Sequence, residues 1–226
     1  MAPTTRERII EAAAALLTEG GREAVSTRAV SAAAGVQAPT IYRSFGDKQG
    51  LLDAVASHGF ATYLRSKAAL EPGDDPVEDL RRGWDLHVAF GVENPAYYAL
   101  IYGEPRPGVQ SPAAREAAVI LAGQIRRIAE AGRLRVSEER AAHLIHSAGA
   151  GMTFQLISML PEQRDPALST LARESVIATV TTDSPAAGHD GVTGHAVALR
   201  AALPQLAELS GAERALLDEW LSRITG

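Results

Sequence analysis

Small, polar and basic side chains collect between Val25 and Leu52. Side chains of these types can contact the base edges and phosphates of DNA. Gln37 can pair bidentately with adenine, and a methyl group such as that of Ala38 or Thr40 can contact the thymine methyl. Hydroxyl and ammonium groups bind phosphate, which sets the register of a protein on the duplex. The candidate phosphate contacts are Thr27, Tyr42 and Lys48, with packing as the alternative for Tyr42, and Arg43 is open between a DNA contact and a solvated position.

Two short helices joined by a tight turn are predicted to carry these side chains. Ser26 or Thr27 can cap the first helix, because a hydroxyl accepts a hydrogen bond from an unpaired backbone N–H. Gly35 can leave that helix in the left-handed conformation, and Pro39 fits the first turn of the next one. The residues predicted to face inward are Ala29, Val30, Ala33, Val36, Ile41 and Phe45. This pattern predicts a helix-turn-helix, whose second helix lies in the major groove; an ordinary helical hairpin is the alternative.

A further helix is predicted before this motif. Thr4 and Glu7 have the spacing of a capping box, in which each side chain bonds the backbone N–H of the other residue. The Gly20–Gly21 pair is predicted to end the helix. Arg6 and Arg8, near its start, would either contact the DNA backbone or form a solvated face.

The segment from Thr27 to Leu52, TRAVSAAAGVQAPTIYRSFGDKQGLL, resembles the DNA-binding signature of the TetR family of bacterial transcriptional regulators. The matching residues are Thr27, Arg28, Ala34, Gly35, Val36, Thr40, Tyr42, Phe45, Lys48, Leu51 and Leu52. Ser31 and the Gln37–Pro39 triplet depart from the family pattern, and the triplet leaves the operator sequence open. With the resemblance, the residues predicted to contact DNA are Thr27, Arg28, Gln37, Ala38, Pro39, Thr40, Tyr42, Arg43 and Lys48.

The resemblance implies a homodimeric repressor that binds a pseudo-palindromic operator in double-stranded DNA. Its two recognition helices would enter major grooves about 34–36 Å apart. A small-molecule effector would release the protein from this operator. Two other functions are open: a ligand-independent regulator or activator with the same head, and, more remotely, an all-helical enzyme.

Composition favours an all-α protein that acts in the cytoplasm. Of the 226 residues, 46% are hydrophobic and 5% aromatic, and the chain has no cysteine. No signal peptide is visible, and no apolar run is long enough for a membrane span. The net charge is −5, yet residues 1–66 hold seven basic and six acidic side chains. We therefore expect few charged phosphate contacts per subunit, which a dimer would double.

A second domain is predicted to follow the DNA-binding head. The head covers residues 1–52, and a fourth helix, capped by Asp47, runs from Lys48 to about Leu70 as the transmitter. Beyond a linker at residues 71–74, residues 74–226 are predicted to form an antiparallel helical bundle for ligand binding and dimerisation. By analogy with the dimers of the family that the sequence resembles, the dimer interface is predicted between Ser137 and Thr182, and the small residues at 147–151 fit either this interface or a pocket. Residues 183–193 are predicted as a loop, and Ser210–Glu213 as a capping box.

A shorter resemblance points to an effector pocket in this domain. A Trp-x-x-His element followed by Asn-Pro-x-x-Tyr resembles the start of a C-terminal regulatory domain in one branch of the TetR family. The resemblance implies a pocket, and pockets of helical bundles are mostly apolar with a few polar groups. The predicted lining is Trp84, His87, Tyr98, Tyr102, Phe154 and Gln155, each of which could alternatively be a core residue.

No residue pattern supports catalysis, a cofactor or a metal site. Neither a Ser/His/Asp or Cys/His arrangement nor a glycine-rich phosphate loop occurs. His143 and His146 lie three apart on one helix face, as metal ligands can, but without a cysteine or a matched acidic pair a structural role is expected. His189 and His195 are expected at the surface. The protein is therefore not expected to be an enzyme.

Overall fold

A computed structural model describes residues 3–68, 72–105, 107–183 and 191–225 of the chain. Within these ranges the regular elements are helices, and the pairing of Leu134 with Thr181 is an isolated bridge. The α-helices are α1 (Thr5–Ala24), α2 (Thr27–Ala34), α3 (Ala38–Phe45), α4 (Lys48–Ala68), α5 (Pro76–Glu93), α6 (Pro95–Tyr102), α7 (Pro112–Glu130), α8 (Glu138–Ser158), α9 (Pro166–Val180), α10 (Gly191–Ala202) and α11 (Gly211–Thr225). The all-α prediction is confirmed.

Two predicted boundaries meet residues outside the described ranges. The last described residue of α4 is Ala68, so the predicted extension to Leu70 cannot be compared. In the predicted loop at 183–193, residues 184–190 lie outside the described residues, His189 among them. Because α10 begins at Gly191, the loop ends earlier than the sequence predicts.

Reciprocal side-chain caps begin two of the helices. The Glu7 N–H donates to Thr4 Oγ1 at 3.2 Å, and the Thr4 N–H donates to Glu7 Oε2 at 2.7 Å. These hydrogen bonds from Thr4 lower the pKa of Glu7. Ser210 and Glu213 make the same pair at 3.3 and 2.8 Å, before the first turn of α11. Both predicted capping boxes are confirmed, because each depends only on residues three apart.

The glycine pair in α1 interrupts the helix as predicted. Gly20 has φ −138° and Gly21 has φ +65°, so both leave the helical conformation. A last short helical segment ends at Ala24. The kink thus separates the long part of α1 from the entry into α2.

The chain forms two compact units. One comprises residues 1–69 and 89–117, and the other comprises residues 70–88 and 118–226. Helices α5 and α7 each contribute to both. The predicted functional division, with DNA binding in residues 1–52 and a second domain in residues 74–226, is not tested by this grouping and stays a prediction.

The core of the first unit joins α1, α2, α3 and α4. Its buried members are Ile9, Ile10, Ala13, Leu17, Val25, Val30, Ala34, Ile41, Leu51, Leu52 and Val55. The prediction of Ala33 on the inner face of α2 is wrong, since Ala33 is exposed and Ala34 is buried. Positions three and four residues after Val30 both suit a helical face, and the packing of α1 against α2 selects the second.

A buried carboxylate organises the second unit. Asp79 on α5 is 5% exposed. Its carboxylate accepts hydrogen bonds from the guanidinium groups of Arg82 and Arg127. Both of its oxygens also accept from the N–H of Gly73, at 3.0 and 3.1 Å. Arg127 also donates to the carbonyl of Gly73 at 2.8 Å. Together these bonds fix the chain before α5 onto α7. On the apolar face of α5, Leu80, Trp84 and Val88 are buried.

Among the residues that the structure describes, no helix combines the length and the apolar character that crossing a membrane requires.

Candidate nucleic-acid interface

The turn between α2 and α3 has the predicted geometry. The hydroxyl of Ser26 accepts a hydrogen bond from the N–H of Ala29 at 3.1 Å and caps α2. Gly35 follows α2 with φ +62° and ψ +41°, which is the left-handed conformation. Side chains other than glycine adopt this conformation at a cost. Val36 packs partly buried against the core of the unit. The turn therefore fixes the direction in which α3 leaves it.

Helix α3 has one buried face and one outward face. Ile41 is 1% exposed, and Phe45 packs against the same core. Gln37 precedes the helix in an extended conformation, and its side chain makes no capping bond. Pro39 lies in the first turn, as predicted. Gln37, Pro39, Tyr42 and Arg43 are exposed, and Ala38 and Thr40 are half-buried.

Arg6 and Arg8 have a role that the sequence did not predict. The Arg6 guanidinium lies 5.1 Å from the ring centroid of Phe45, as a cation–π contact. Arg8 Nη2 donates to the carbonyl of Ala34 at 2.7 Å, which satisfies a carbonyl at the end of α2. Both guanidinium groups thus hold α1 to the motif, in addition to any outside contact. Sequence spacing could not show this, because the partners are 26 or more residues away.

The start of α4 offers a second group of donors. The Asp47 carboxylate caps the helix by accepting a hydrogen bond from the N–H of Gly50 at 2.7 Å. Lys48 is the first residue of α4 and is exposed. The first N–H groups of a helix have no partner within it and carry partial positive charge. Lys48 and this helix start together can bind a phosphate.

Three cations of the candidate interface are unpaired. Among the described residues, Arg28, Arg43 and Lys48 have no hydrogen bond, ion pair or cation–π contact. All three are exposed, as is Tyr42 at 52%. The first unit therefore carries three positive charges that form no such contact within the described part of its fold. They lie at the start of α2, on α3 and at the start of α4. The assignment of each side chain to bases or phosphates stays a prediction.

The residues predicted to line an effector pocket are divided between the two units. Tyr98 and Tyr102 belong to the first unit, and Trp84, His87, Phe154 and Gln155 belong to the second. Trp84 is buried and donates from Nε1 to the Ser169 hydroxyl at 3.0 Å, whereas Gln155 is exposed. The pocket that these six residues would form stays a prediction.

Around the two tyrosines the structure shows aromatic packing that the sequence did not predict. The ring centroids of Tyr98 and Tyr102 are 4.9 Å apart, and Phe60 on α4 lies 6.4 Å from Tyr102. Tyr63 and Phe90 pack on Phe60 at 4.5 and 4.9 Å. Burial raises the pKa of the Tyr63 and Tyr102 phenols, which therefore stay protonated at neutral pH. The sequence signal that could have indicated this packing is the pair Phe60 and Tyr63, which lie three residues apart on α4.

A separate cleft of about 610 Å³ lies between α7, α8, α10 and α11. The predicted pocket residues do not line it. Its arginines are already engaged: Arg200 bonds Asp218 at 2.8 Å and Glu139 at 3.4 Å, and Arg214 donates to the carbonyl of Leu206 at 3.0 Å. We assign no ligand to this cleft.

The histidines show no metal-binding arrangement in the described part of the chain. His143, His146 and His195 are exposed. No three His, Cys, Asp or Glu side chains among the described residues are grouped so that they could hold a metal ion.

Part of the sequence is similar to known bacterial regulatory proteins. Residues 9–55 match the sequence model described as bacterial regulatory proteins, tetR family. The transcriptional repressor KstR of Rhodococcus jostii is 38% identical over 76 residues, which cover 34% of this chain and 35% of that protein. The chain thus matches about a third or less of the length of the curated relatives.

Solved structures extend the likeness to the fold. A putative TetR-family regulator from Shewanella sp. PV-4 superposes with a TM-score of 0.63 at 19% identity, covering 80% of this chain and 100% of that one. A TetR variant from Acinetobacter baumannii, solved in complex with minocycline, gives a TM-score of 0.57 at 19% identity, covering 76% and 93%. These structures show that the chain shares their fold, and the sequence match to the tetR family covers residues 9–55.

Proposed function

We propose that the chain is a TetR-family regulatory protein and, more specifically, a sequence-specific, homodimeric transcriptional repressor that a small molecule releases from its operator. The observation that carries the proposal is the outward face of α3 in a segment that matches the family. Binding to chromosomal DNA would place the protein in the cytoplasm, and no catalytic role is proposed.

In the proposed complex, α3 reads the bases and the flanking helix starts bind the backbone. Gln37, Ala38 and Thr40, at the start of α3, would meet base edges. Tyr42, Arg43, Thr27, Arg28 and Lys48 surround them and would bind phosphates. Three unpaired cations per subunit make six in a dimer. A plot of the logarithm of the binding constant against the logarithm of the salt concentration should then have a slope of about −5.

The outward faces of α8 and α9 support the proposal of a dimer interface there. Exposed residues recur on each helix at helical spacing, and most have small side chains that permit close backbone approach. On α8 they are Leu144, Ser147, Gly151 and Gln155, and on α9 they are Leu171, Ser175, Ala178 and Thr179. Two heads held by this interface would reach the two halves of a palindrome.

Release by an effector requires a ligand that binds the DNA-free conformation better. The ligand can shift the equilibrium only by that difference in affinity, and DNA must weaken ligand binding by the same factor. The minocycline complex of the Acinetobacter relative supports an organic effector. Helix α4 is the proposed transmitter, because it runs from Lys48 at the candidate interface to Phe60 and Tyr63 in the aromatic packing.

Selection from a genomic fragment library tests the proposal. Wild-type protein should enrich a palindromic site in a salt-dependent way. Tyr42→Ala should weaken that enrichment at least tenfold, because the exposed phenol is a predicted phosphate contact. Val109→Ala is the matched control, since Val109 is 53% exposed, lies in the same unit and has no predicted DNA contact. No enrichment by the wild type, or equal enrichment by Tyr42→Ala, would refute the proposal.

A further inference from the structure

Helix α11 is held in place through its inner face. Leu221 is buried, and Leu217 packs partly buried in the same cluster as Leu203. Two polar contacts add to this packing. Asp218 accepts a hydrogen bond from Arg200 on α10 at 2.8 Å, and Arg214 donates to a backbone carbonyl at 3.0 Å. The orientation of α11 on α10 is therefore well determined, and so is the identity of its outer face.

The outer face of α11 is an apolar stripe. It consists of Leu216, Trp220 and Ile224, which are 46%, 52% and 50% exposed. Because they are four residues apart, they share one side of the helix and span about 12 Å along it. The other tryptophan of the chain, Trp84, is 5% exposed. Contiguous exposed apolar residues of this size mark interaction surfaces more often than scattered ones do.

An ion pair runs beside the stripe and specifies what can cover it. Glu219 and Arg223 bond each other across one turn of α11, and their side chains are 58% and 70% exposed. In an antiparallel pair of α11 helices centred on Trp220, Glu219 would lie about 3 Å along the axis from the partner's Arg223. A parallel pair would place the flank that carries Glu219 and Arg223 against the partner's opposite flank, where the inward-packed Leu217 and Leu221 lie, so the ion pair would meet no opposite charge there. The charge pattern of α11 is thus complementary to itself in the antiparallel direction only.

We propose that α11 is a self-association surface, on which a second copy of this chain packs its own α11 in the antiparallel direction. Trp220 then contacts the partner's Trp220, and Leu216 contacts the partner's Ile224. Glu219 and Arg223 exchange their intrahelical pair for two pairs between the copies. A contact between two 15-residue helices is smaller than a standard stable interface. It therefore acts at high local concentration or in addition to another interface, and it does not depend on the DNA-binding function.

Charge reversal tests both the surface and its direction. In sedimentation equilibrium the wild type should show a concentration-dependent increase in mass beyond that of the proposed α8–α9 dimer, and Trp220→Glu should remove this further increase. Val119→Glu, on an exposed apolar residue of α7, should keep it. Glu219→Arg and Arg223→Glu should each raise the dissociation constant at least tenfold, because each leaves one sign of charge on the stripe. An equimolar mixture of the two should associate again, since one copy is then all positive there and the other all negative.

Engineered cysteines give a second test, because the chain contains no cysteine of its own. Trp220→Cys should form a covalent dimer on oxidation, since position 220 lies on the two-fold axis. Leu216→Cys alone should not, whereas its mixture with Ile224→Cys should, because only the antiparallel pair brings these Cα atoms within about 7 Å. Equal masses for wild type and Trp220→Glu, failure of the charge-reversed mixture to associate, or cross-linking of Leu216→Cys alone would overturn the proposal.

Discussion

The two compact units of this chain differ in how they use some of their basic side chains. In the second unit, Arg81 bonds Glu174 on α9 at 2.9–3.1 Å, and Arg173 pairs back with Asp85 on α5. In the first unit, Arg28, Arg43 and Lys48 have no such partner among the described residues. The difference shows which charges hold helices together and which are available to a phosphate backbone.

The comparison also explains why net charge is a poor guide here. A chain with a net charge of −5 does not look like a DNA-binding protein. Many of the described carboxylates of the second unit, however, form ion pairs with arginines of the same unit, as Asp79 does with Arg82 and Arg127. What a partner meets is the local balance of unpaired charge. This balance is positive at the start of α2 and on α3, whereas at the start of α4 the Asp47 carboxylate lies beside Lys48.

The largest effect on stability should come from the paired charges of the second unit. Asp79→Ala would leave Arg82 and Arg127 without their buried carboxylate, at a cost of about 2–4 kcal/mol once the partial exposure of both arginines is considered. Urea unfolding followed by circular dichroism measures this loss. Asp85→Asn, which removes an exposed partner of Arg173, should cost less than about 1 kcal/mol. Equal losses for both variants would contradict the assigned role of Asp79.

Two glycine-to-alanine variants should distinguish the effect of the turn geometry from that of general helix stability. Gly35→Ala should destabilise the first unit by about 1–2 kcal/mol, because Gly35 has φ +62°, and should weaken DNA binding by misplacing α3. Gly123→Ala is the control, since a Cβ at this position of α7 meets no atom within 4 Å. It should stabilise the protein by about 0.5–1 kcal/mol. Thermal unfolding measures both, and a stabilising Gly35→Ala would refute the turn assignment.

Much of the first unit follows from short-range sequence signals. The caps at Thr4 and Ser26 and the turn at Gly35 depend on residues three or four apart, so the sequence alone predicts them. The contacts of Arg6 with Phe45 and of Arg8 with the carbonyl of Ala34 arise only after α1 packs on the motif. For the same reason the inner face of α2 was predicted with the wrong alanine.

The second unit is harder to predict, because its decisive contacts join residues far apart in sequence. Asp79 and Arg127 are 48 residues apart, and Arg81 and Glu174 are 93 apart. No spacing rule pairs them. The same limit applies in the first unit, where Tyr63 on α4 packs on Phe90 of α5 and no spacing rule pairs the two rings.

The smallest effect should be the acid sensitivity of the ion pairs between α5 and α9. The hydrogen bond from Arg81, followed by that from Arg173, lowers the pKa of Glu174. A carboxylate whose pKa is lowered in the folded state contributes fully to the free energy of unfolding above its unfolded pKa of about 4.3. This contribution is lost as the pH falls through the lowered pKa of the folded state. In Glu174→Gln the free energy of unfolding should fall less than in the wild type below about pH 4.5. The difference should be less than about 1 kcal/mol, because Glu174 is partly exposed. Urea midpoints between pH 3 and 7 measure it, and an unchanged profile would contradict the assignment.

In the proposed complex, the outward face of α3 reads bases while its unpaired neighbours bind phosphates. Operator selection with wild type, Gln37→Ala and Lys48→Ala at several salt concentrations tests it most directly. Gln37→Ala should keep the palindrome but lose about 1–3 kcal/mol of discrimination at one position of each half-site. Lys48→Ala should keep every base preference, weaken binding to all sequences alike and reduce the salt slope by about 2 per dimer. An unchanged motif for Gln37→Ala, or an altered motif for Lys48→Ala, would contradict these roles for Gln37 and Lys48.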